Sequence, residues 1–483
     1  MSALWTAEAL CRATGGAMAV PFAAHGISID TRTLRPGDLF VALQAETDGH
    51  AHAAQALARG AAGVLVRRLD GLPQGAPALL VNDTLLALQA LGRAGRARFG
   101  GKMVAVTGSV GKTTTKEMLR RALSAMGPTH AAQASYNNHW GVPITLALLP
   151  PDAAFCVCEI GMNNAGETLP LARMVRPHVA VVTAIAAAHI GRLGSLEAIA
   201  DEKASLLEAL EPGGVAVLPA DSAFLGRMRA RHAGATLTFG QAAASDLRMT
   251  DALVEPEGTT LVAVAGGGEI RCALSAPGAH MAMNALAALA ACVALGFDAG
   301  RAAAALDGFA PVAGRGQQRR IRDGGVLLLD ESYNANTASM RAALAVLRTM
   351  PGTRRVAVLG DMLELGAFGP AEHAGLADDV ARAADVLHAC GPLSRALFDR
   401  IPVAQRGIHA ESSAALAGLV AATLRPGDAV LVKGSLGSRM RLVVQAIEHA
   451  DGTPSAGTGS PLPAGTGGPP SAGATSAPPV GVA

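Results

Sequence analysis

The chain has 483 residues, half of them hydrophobic, and 40 Lys and Arg stand against 38 Asp and Glu for a net charge of +2. At roughly 100–200 residues per domain, this is enough for about three domains with buried cores, and it is too apolar for a disordered chain. The near-neutral balance argues against a general nucleic-acid binder, which needs a basic face or tail.

Residues 1–82 read as a small α/β unit. Strands are expected at Ser28–Thr31 and Leu39–Leu43 around the turn Arg35-Pro36-Gly37-Asp38, then a helix from His50 to Arg59 and a strand from Gly63 to Val66. Leu85, Leu88, Leu91 and Ala94 recur at helical spacing, which predicts a helix over 83–98. Met103–Thr107 is a short apolar strand running into a glycine loop and a helix from Thr115 to Ala125. Further strands at Phe155–Cys158, Val179–Ile185 and Val215–Leu218 alternate with helical segments, one of them Ser195–Leu210. That alternation predicts a largely parallel sheet covered by helices. Residues 236–274 read as a β-rich insertion, and a long Ala-rich helix is expected over about 279–295.

A second βα series starts near 312, with strands at Val326–Leu329, Arg355–Leu359, Val386–His388 and Ala429–Val432. The expected fold is therefore α/β in three domains. A small N-terminal α/β domain spans 1–82, a central P-loop domain on a parallel sheet 83–311, and a C-terminal Rossmann-like domain 312–450. Residues 451–483 are mostly Gly, Pro, Ser, Thr and Ala with almost no charge or apolar pattern, and read as a disordered tail.

The apolar runs Val179–Ile190 and Ala285–Phe297 fall short of the ~18 residues needed to cross a bilayer. The first residues carry an early Glu8 and no basic start before an apolar block, so no signal peptide is read. Six cysteines form no CxxC pair, which fits buried thiols in a reducing cytoplasm and suggests no structural zinc. The basic residues are nearly all Arg, with just five lysines at 102, 112, 116, 203 and 433. Such a chain should keep Lys mainly where a compact amine that can lose its proton is needed.

Thr107-Gly108-Ser109-Val110-Gly111-Lys112-Thr113-Thr114 carries the spacing GxxGK[ST] between a strand and a helix. Glycines there let backbone N–H groups turn toward phosphate oxygens, and the helix start adds a positive dipole. Lys112 is placed to neutralise the β- and γ-phosphates, and the Thr113 hydroxyl to ligate Mg²⁺. Strand, loop, Lys-Thr and helix agree, so nucleotide binding is expected. GTPase switches, kinases and ligases all use such a loop, and other residues must name the reaction. Glu159 ends an apolar strand, where an Mg²⁺ ligand beside a P-loop belongs, although a solvated strand-end acid reads the same way. Taken singly, His189 at the end of an apolar run reads as structural, and Lys203 on a helix as a solvated charge.

Together these positions resemble the Mur ligases of peptidoglycan synthesis over roughly residues 25–448. The strings that carry the resemblance are Asp30-Thr31-Arg32, TGSVGKTTTKEM, Tyr136-Asn137-Asn138, Glu159-Ile160-Gly161-Met162-Asn163, Ala187-Ala188-His189, Asn284-Ala285-Leu286 and Gly314-Arg315. The most specific are Asp330 to Asn336 (DESYNAN), Leu359 to Gly366 (LGDMLELG) and Val432-Lys433-Gly434-Ser435. The SYNAN and GDMLELG strings point to the branch that adds D-alanyl-D-alanine to UDP-N-acetylmuramoyl-tripeptide, and no DNPR-like string of the diamino-acid-adding branch occurs.

The resemblance implies ATP-driven amide synthesis through an acyl phosphate. It implies ATP held by Gly108 to Thr114 with Asn284 near adenine, Arg315 near the γ-phosphate and Glu331 near the ribose. It implies two Mg²⁺ ions, with Thr113, Glu159, His189 and Lys203 as ligands, Lys203 as its CO₂-derived carbamate. Lys433 is implied near the incoming amine, Asn137 and Asn138 at the muramoyl peptide, and Asp30, Thr31 and Arg32 at the uridine end. Lys112, Glu159, His189, Lys203 and Lys433 are then the catalytic set of a cytoplasmic monomer that binds no nucleic acid and has no membrane span. Ala184, Met281 after His280, and Ser435 to Arg439 depart from the sister pattern and put individual contacts in question. The rivals are another amide ligase with this core, such as a folylpolyglutamate synthetase, and a P-loop module without ligation. The N-terminal unit argues against the first; His189, Lys203 and a third domain with its own lysine argue against the second.

Overall fold

The computed structural model describes residues 3–44, 47–132 and 135–449. The tail expected over 451–483 lies outside them. Three sheets follow one another along the chain. The first has five strands in the order Ala17–Met18, Ala78–Leu80, Gly63–Val66, Asp38–Val41, Gly26–Ser28, parallel except for the short first pairing.

The second sheet has nine strands. Its parallel part runs Thr129–Ala131, Phe155–Glu159, Lys102–Thr107, Val179–Val182, Val215–Pro219, Ala235–Gly240. Leu247–Glu255 then pairs parallel to Ala235–Gly240 at Leu247 and Arg248, and Gly258–Ala265 and Gly268–Leu274 continue as antiparallel hairpins. The stretch expected as an insertion is therefore the continuation of the central sheet, in four strands. Its apolar residues Leu247, Met249, Leu261, Ala263, Ile270 and Cys272 pack with the Ala-rich helix Ala279–Ala294 in one core.

The third sheet has six strands in the order Gln317–Ile321, Val326–Glu331, Asp428–Lys433, Arg354–Gly360, Val386–Cys390, Arg406–Ala410, with only the first strand antiparallel. Helices lie on both faces and bury separate clusters, one around Leu344, Leu347 and Leu431, the other around Val358, Val430 and Val443. Parallel strands buried on both faces need continuous apolar runs, and Ala429-Val430-Leu431-Val432 is one.

The helix Thr84–Arg98 ties the first sheet to the second. Asp83 caps it by accepting the Leu86 N–H. Its Ala87, Leu88 and Leu91 share a core with Leu39 and Leu79 of the first sheet, with Leu10 of the helix Ala7–Thr14, and with Ile144 and Ala147 of the helix Gly141–Ala147 in the central unit. Trp5 seals that junction by donating its indole N–H to the Ala147 carbonyl at 2.8 Å. All the cysteines are free thiols, and five are buried. Among the described residues, no helix is long and apolar enough to cross a membrane.

Several boundaries differ from expectation. The two strands expected at 28–31 and 39–43 end early, at Ser28 and Val41. The helix after the glycine loop starts at Lys112 and not Thr115. The segment 195–210 is two pieces, α-helix Leu196–Ala204 and a 3₁₀ turn Ser205–Ala209.

Candidate nucleotide and ligation site

The strand Lys102–Thr107 is buried from Met103 onward and delivers the glycine loop to the C-terminal edge of the central sheet. Gly108 (φ 146°) and Gly111 (φ 82°) sit in backbone regions that side-chain-bearing residues avoid. A Cβ at Gly108 would lie 1.9 Å from Thr183 Oγ1, and one at Gly111 would lie 2.2 Å from Asn284 Oδ1. The loop is thus wedged between a neighbouring strand end and the Ala-rich helix. Ser109 N–H donates to the Ala184 carbonyl at 2.8 Å, and Ser109 Oγ donates to the Ala186 carbonyl at 2.9 Å. Ala184 works here through its backbone, so its departure from the sister pattern leaves this contact intact. Thr183 Oγ1 donates to Val110 O, and Lys112 Nζ to Gly108 O at 2.8 Å. Gly111 offers the helix Lys112–Ser124 no capping side chain, which leaves its first N–H groups to a ligand.

Glu159 ends its strand with 1% exposure. Thr113 Oγ1 donates to Glu159 Oε2 at 2.7 Å, and Asn137 Nδ2 to Oε1 at 2.7 Å. Both donors are neutral, so this buried carboxylate has no ion-pair partner among the described residues. A carboxylate with an adjacent hydroxyl is a hard-oxygen donor pair suited to Mg²⁺. Ser135 Oγ lies 3.3 Å from Thr113 Oγ1 and accepts from Arg315 Nη2 at 2.8 Å. Arg315, from the third unit, stacks 3.9 Å over the Tyr333 ring. Lys112, Glu159, Thr113, Asn137, Ser135 and Arg315 therefore form one constellation across two units.

Lys203 is buried on the helix Leu196–Ala204, which Ser195 caps. Its amine has no hydrogen-bond or ion-pair partner among the described residues. Burial, and then the charge of Lys112, push its pKa well below the ordinary lysine value. Burial also lowers Lys112, against the opposing pull of Glu159. His189 adopts a left-handed backbone (φ 60°). Its Nδ1 lies 2.6 Å from Glu364 Oε2, a close contact in which the ring N–H is off the donor–acceptor line. That imidazole holds the Glu364 carboxyl below the ordinary glutamate range. No hydrogen bond or ion pair joins His189 to Glu159 or Lys203 among the described residues. Nor do three or more His, Cys, Asp or Glu side chains form a metal cluster there.

In the third unit, Lys433 is 2% exposed. Its Nζ pairs with Glu331 Oε2 at 2.9 Å and donates to Asn334 O at 3.0 Å. The two residues are register partners on parallel strands, which holds them side by side. His280, on the first turn of the Ala-rich helix, feels both their charges, while burial lowers its pKa.

Asp30, Thr31 and Arg32 stand apart. Arg32 Nε donates to Asp30 Oδ1 at 2.9 Å and holds that carboxyl below its ordinary value, while Thr31 Oγ1 donates to Gln55 Oε1 at 3.2 Å. No hydrogen bond links this turn to the glycine loop among the described residues. Asn138 serves local structure, its Oδ1 accepting the Gly141 N–H at 2.9 Å.

Sequence reading missed Ser135, Thr183, Glu364 and Lys116. Lys116 is fully buried, donates to Ala132 O at 2.6 Å and pairs with Glu117 at 2.6 Å, so it anchors the chain that leads into Ser135 and Asn137. The scarcity of lysine was its one signal. Glu364 lies inside the LGDMLELG string, but nothing local marks its partner 175 residues away.

Profiles of known families match two stretches, the Mur ligase middle domain over residues 106–292 and the Mur ligase glutamate ligase domain over residues 314–436. The chain is 39% identical to the UDP-N-acetylmuramoyl-tripeptide–D-alanyl-D-alanine ligase of Synechocystis sp., over 85% of this chain and 89% of that one. It is 38% identical to the Escherichia coli enzyme of the same name, over 88% and 93%. Among solved structures, MurF from Acinetobacter baumannii superposes with a TM-score of 0.80 at 31% identity, over 92% of this chain and 99% of that one. MurF from Thermotoga maritima in complex with ADP gives 0.74 at 26%, over 88% and 97%.

Proposed function

The chain belongs to the Mur ligase family, and we propose that it joins D-alanyl-D-alanine to UDP-N-acetylmuramoyl-tripeptide with cleavage of ATP to ADP and phosphate. The tripeptide carboxylate attacks the γ-phosphorus, the bond to ADP breaks, and an acyl phosphate forms. The free amine of the dipeptide then attacks the acyl carbon, phosphate leaves, and the amine gives up a proton. The first step brings two anions together, so positive charge must converge where they meet. The observation that carries this reading is that convergence: Lys112 and Arg315 come from different units, and Ser135 links Arg315 to the Thr113–Glu159 pair.

In this reading the open N–H groups after Gly111 cradle the phosphates and Lys112 neutralises them. Arg315 reaches the γ-phosphate, Asn284 lies by adenine and Glu331 by the ribose. Thr113 and Glu159 would hold one Mg²⁺. Lys203, as a carbamate, and His189 would serve a second. Bound there, the ions supply charge neutralisation of the phosphates. The Lys203 amine suits this role because only a neutral amine adds CO₂, and its surroundings favour the neutral form. Lys433 lies at the incoming amine, Asn137 and Asn138 at the muramoyl peptide, and Asp30, Thr31 and Arg32 at the uridine. We take residues 1–82, 83–311 and 312–450 as the UDP-substrate, ATP and ligase domains of a cytoplasmic monomer.

The test is phosphate release from ATP with UDP-N-acetylmuramoyl-tripeptide, with and without D-alanyl-D-alanine. Sustained release should require all three, and mass spectrometry should find the pentapeptide product. Equal release without the dipeptide, or with nucleotide alone, would remove the ligase reading.

A further inference from the structure

The central and third units meet near Lys112 through His189, the turn that follows it and the 364–366 segment of the third unit. A single helical turn, Ile190–Leu193, projects from the central unit. The residue before it, His189, gives it no side-chain cap. Its Gly191 N–H donates across the boundary to the Glu364 carbonyl at 3.2 Å. The His189 ring meets the Glu364 carboxylate at 2.6 Å, and Ile190 packs against the core of the third unit.

The backbones touch. A Cβ on Gly191 would lie 2.4 Å from Gly366 N and 2.7 Å from the Leu365 carbonyl carbon. A Cβ on Gly366 would lie 3.0 Å from Gly191 Cα. Both His189 (φ 60°) and Glu364 (φ 69°) take left-handed backbones without being glycine. Such residues carry strain that persists only where the surroundings over-determine them. Here each partner supplies the contact that holds the other.

We propose that Glu364 and Gly191 form an interdomain latch, in which Glu364 is a positioning residue that orients His189 and seats the third unit against the glycine loop. This rests on the ligase reading for its catalytic consequence, but not for its geometry. Gly191 has no room to grow, so one methyl there must push the two backbones apart. The Glu364 carboxylate aims the imidazole, while its carbonyl holds the turn whatever its side chain.

Gly191→Ala, Glu364→Ala and Glu364→Gln, made in the full chain, test the latch. In Gly191→Ala, kcat is expected to fall about 100-fold, the scale of loss for a misplacement near 1 Å. The unfolding midpoint should match wild type, and ADP affinity by calorimetry should fall far less than kcat, because the glycine loop is untouched and only the ribose contact at Glu331 moves with the third unit. Small-angle scattering with a non-hydrolysable ATP analogue should give a larger radius of gyration than wild type. Glu364→Ala should lose kcat with little change in the ATP KM, and Glu364→Gln should recover most of it. The latch is wrong if Gly191→Ala keeps wild-type kcat and radius. It is equally wrong if kcat, ADP affinity and midpoint fall together, which marks a role in folding only. Scattering and ADP binding need no dipeptide, so a wild type that fails to ligate would sink the functional reading and leave the latch measurable.

Discussion

Lys203 in the central unit and Lys433 in the third are both buried, at 1% and 2% exposure, yet their surroundings are opposite. Lys433 faces a carboxylate, Glu331, at 2.9 Å and a carbonyl at 3.0 Å. Lys203 has no hydrogen-bond or ion-pair partner among the described residues and feels the like charge of Lys112. Burying a charge is tolerated when it is paired; otherwise the group sheds its proton. The same residue type therefore meets two environments, one that pairs its charge and one whose burial disfavours the charged form. Lys116, paired with Glu117, sides with Lys433.

The largest expected effect breaks the comparison at Lys203. Lys203→Arg should lower kcat on the order of 100- to 1000-fold, because a guanidinium keeps its proton and cannot add CO₂. Lys203→Ala should regain part of its phosphate release when a small carboxylate is supplied. Full activity in Lys203→Arg would mean that Lys203 is a mere charge. At Lys433 the prediction concerns stability. Glu331→Ala strands a buried ammonium and should cost about 3 kcal/mol in urea unfolding, whereas replacing both members of the pair by Met should cost much less. Equal losses would place the effect in packing and not in the pairing.

A gentler test uses His388, a buried base of the third unit with no ion-pair partner among the described residues. Its Nδ1 accepts the Ile408 N–H at 3.0 Å, and burial pushes its pKa from 6.5 down to about 4. The unfolded chain therefore takes the proton first as pH falls. Stability should be intact above pH 6.5 and decline down to about pH 4, by up to about 3 kcal/mol at the low end. Urea midpoints at pH 7 and pH 5 would show it, and His388→Asn should flatten the difference. The smallest effect belongs to the exposed Asp30–Arg32 pair. Breaking it with Asp30→Asn should change stability by less than about 0.5 kcal/mol, so a raised KM for the UDP-linked substrate in that variant would report binding and not folding.

Local pattern carried much of the fold. Apolar runs such as Ala429 to Val432 and Val179 to Val182 are strands because they are buried on both faces. Gln317–Ile321 and Arg406–Ala410 escaped because they are edge strands, polar and only partly covered, with no alternation to read. The excursion 236–274 read correctly as β-structure, but its pairing to the central sheet depends on Phe239 meeting Leu247 across a loop, which composition does not encode.

For the site, the sequence by itself determined the parts that lie within a few residues of one another: the glycine loop, its Lys-Thr, the strand-end Glu159, and a scarcity of lysine that drew attention to Lys112, Lys203 and Lys433. These are legible because backbone conformation and strand burial are set locally. Only the tertiary structure decided the partners. It put Ser135 under Arg315, Glu364 against His189 and Glu331 beside Lys433, and it gave Lys203 no hydrogen-bond or ion-pair partner among the described residues. An ionisable group takes its character from charges and solvent within a few ångströms, and those neighbours arrive from distant positions in the chain.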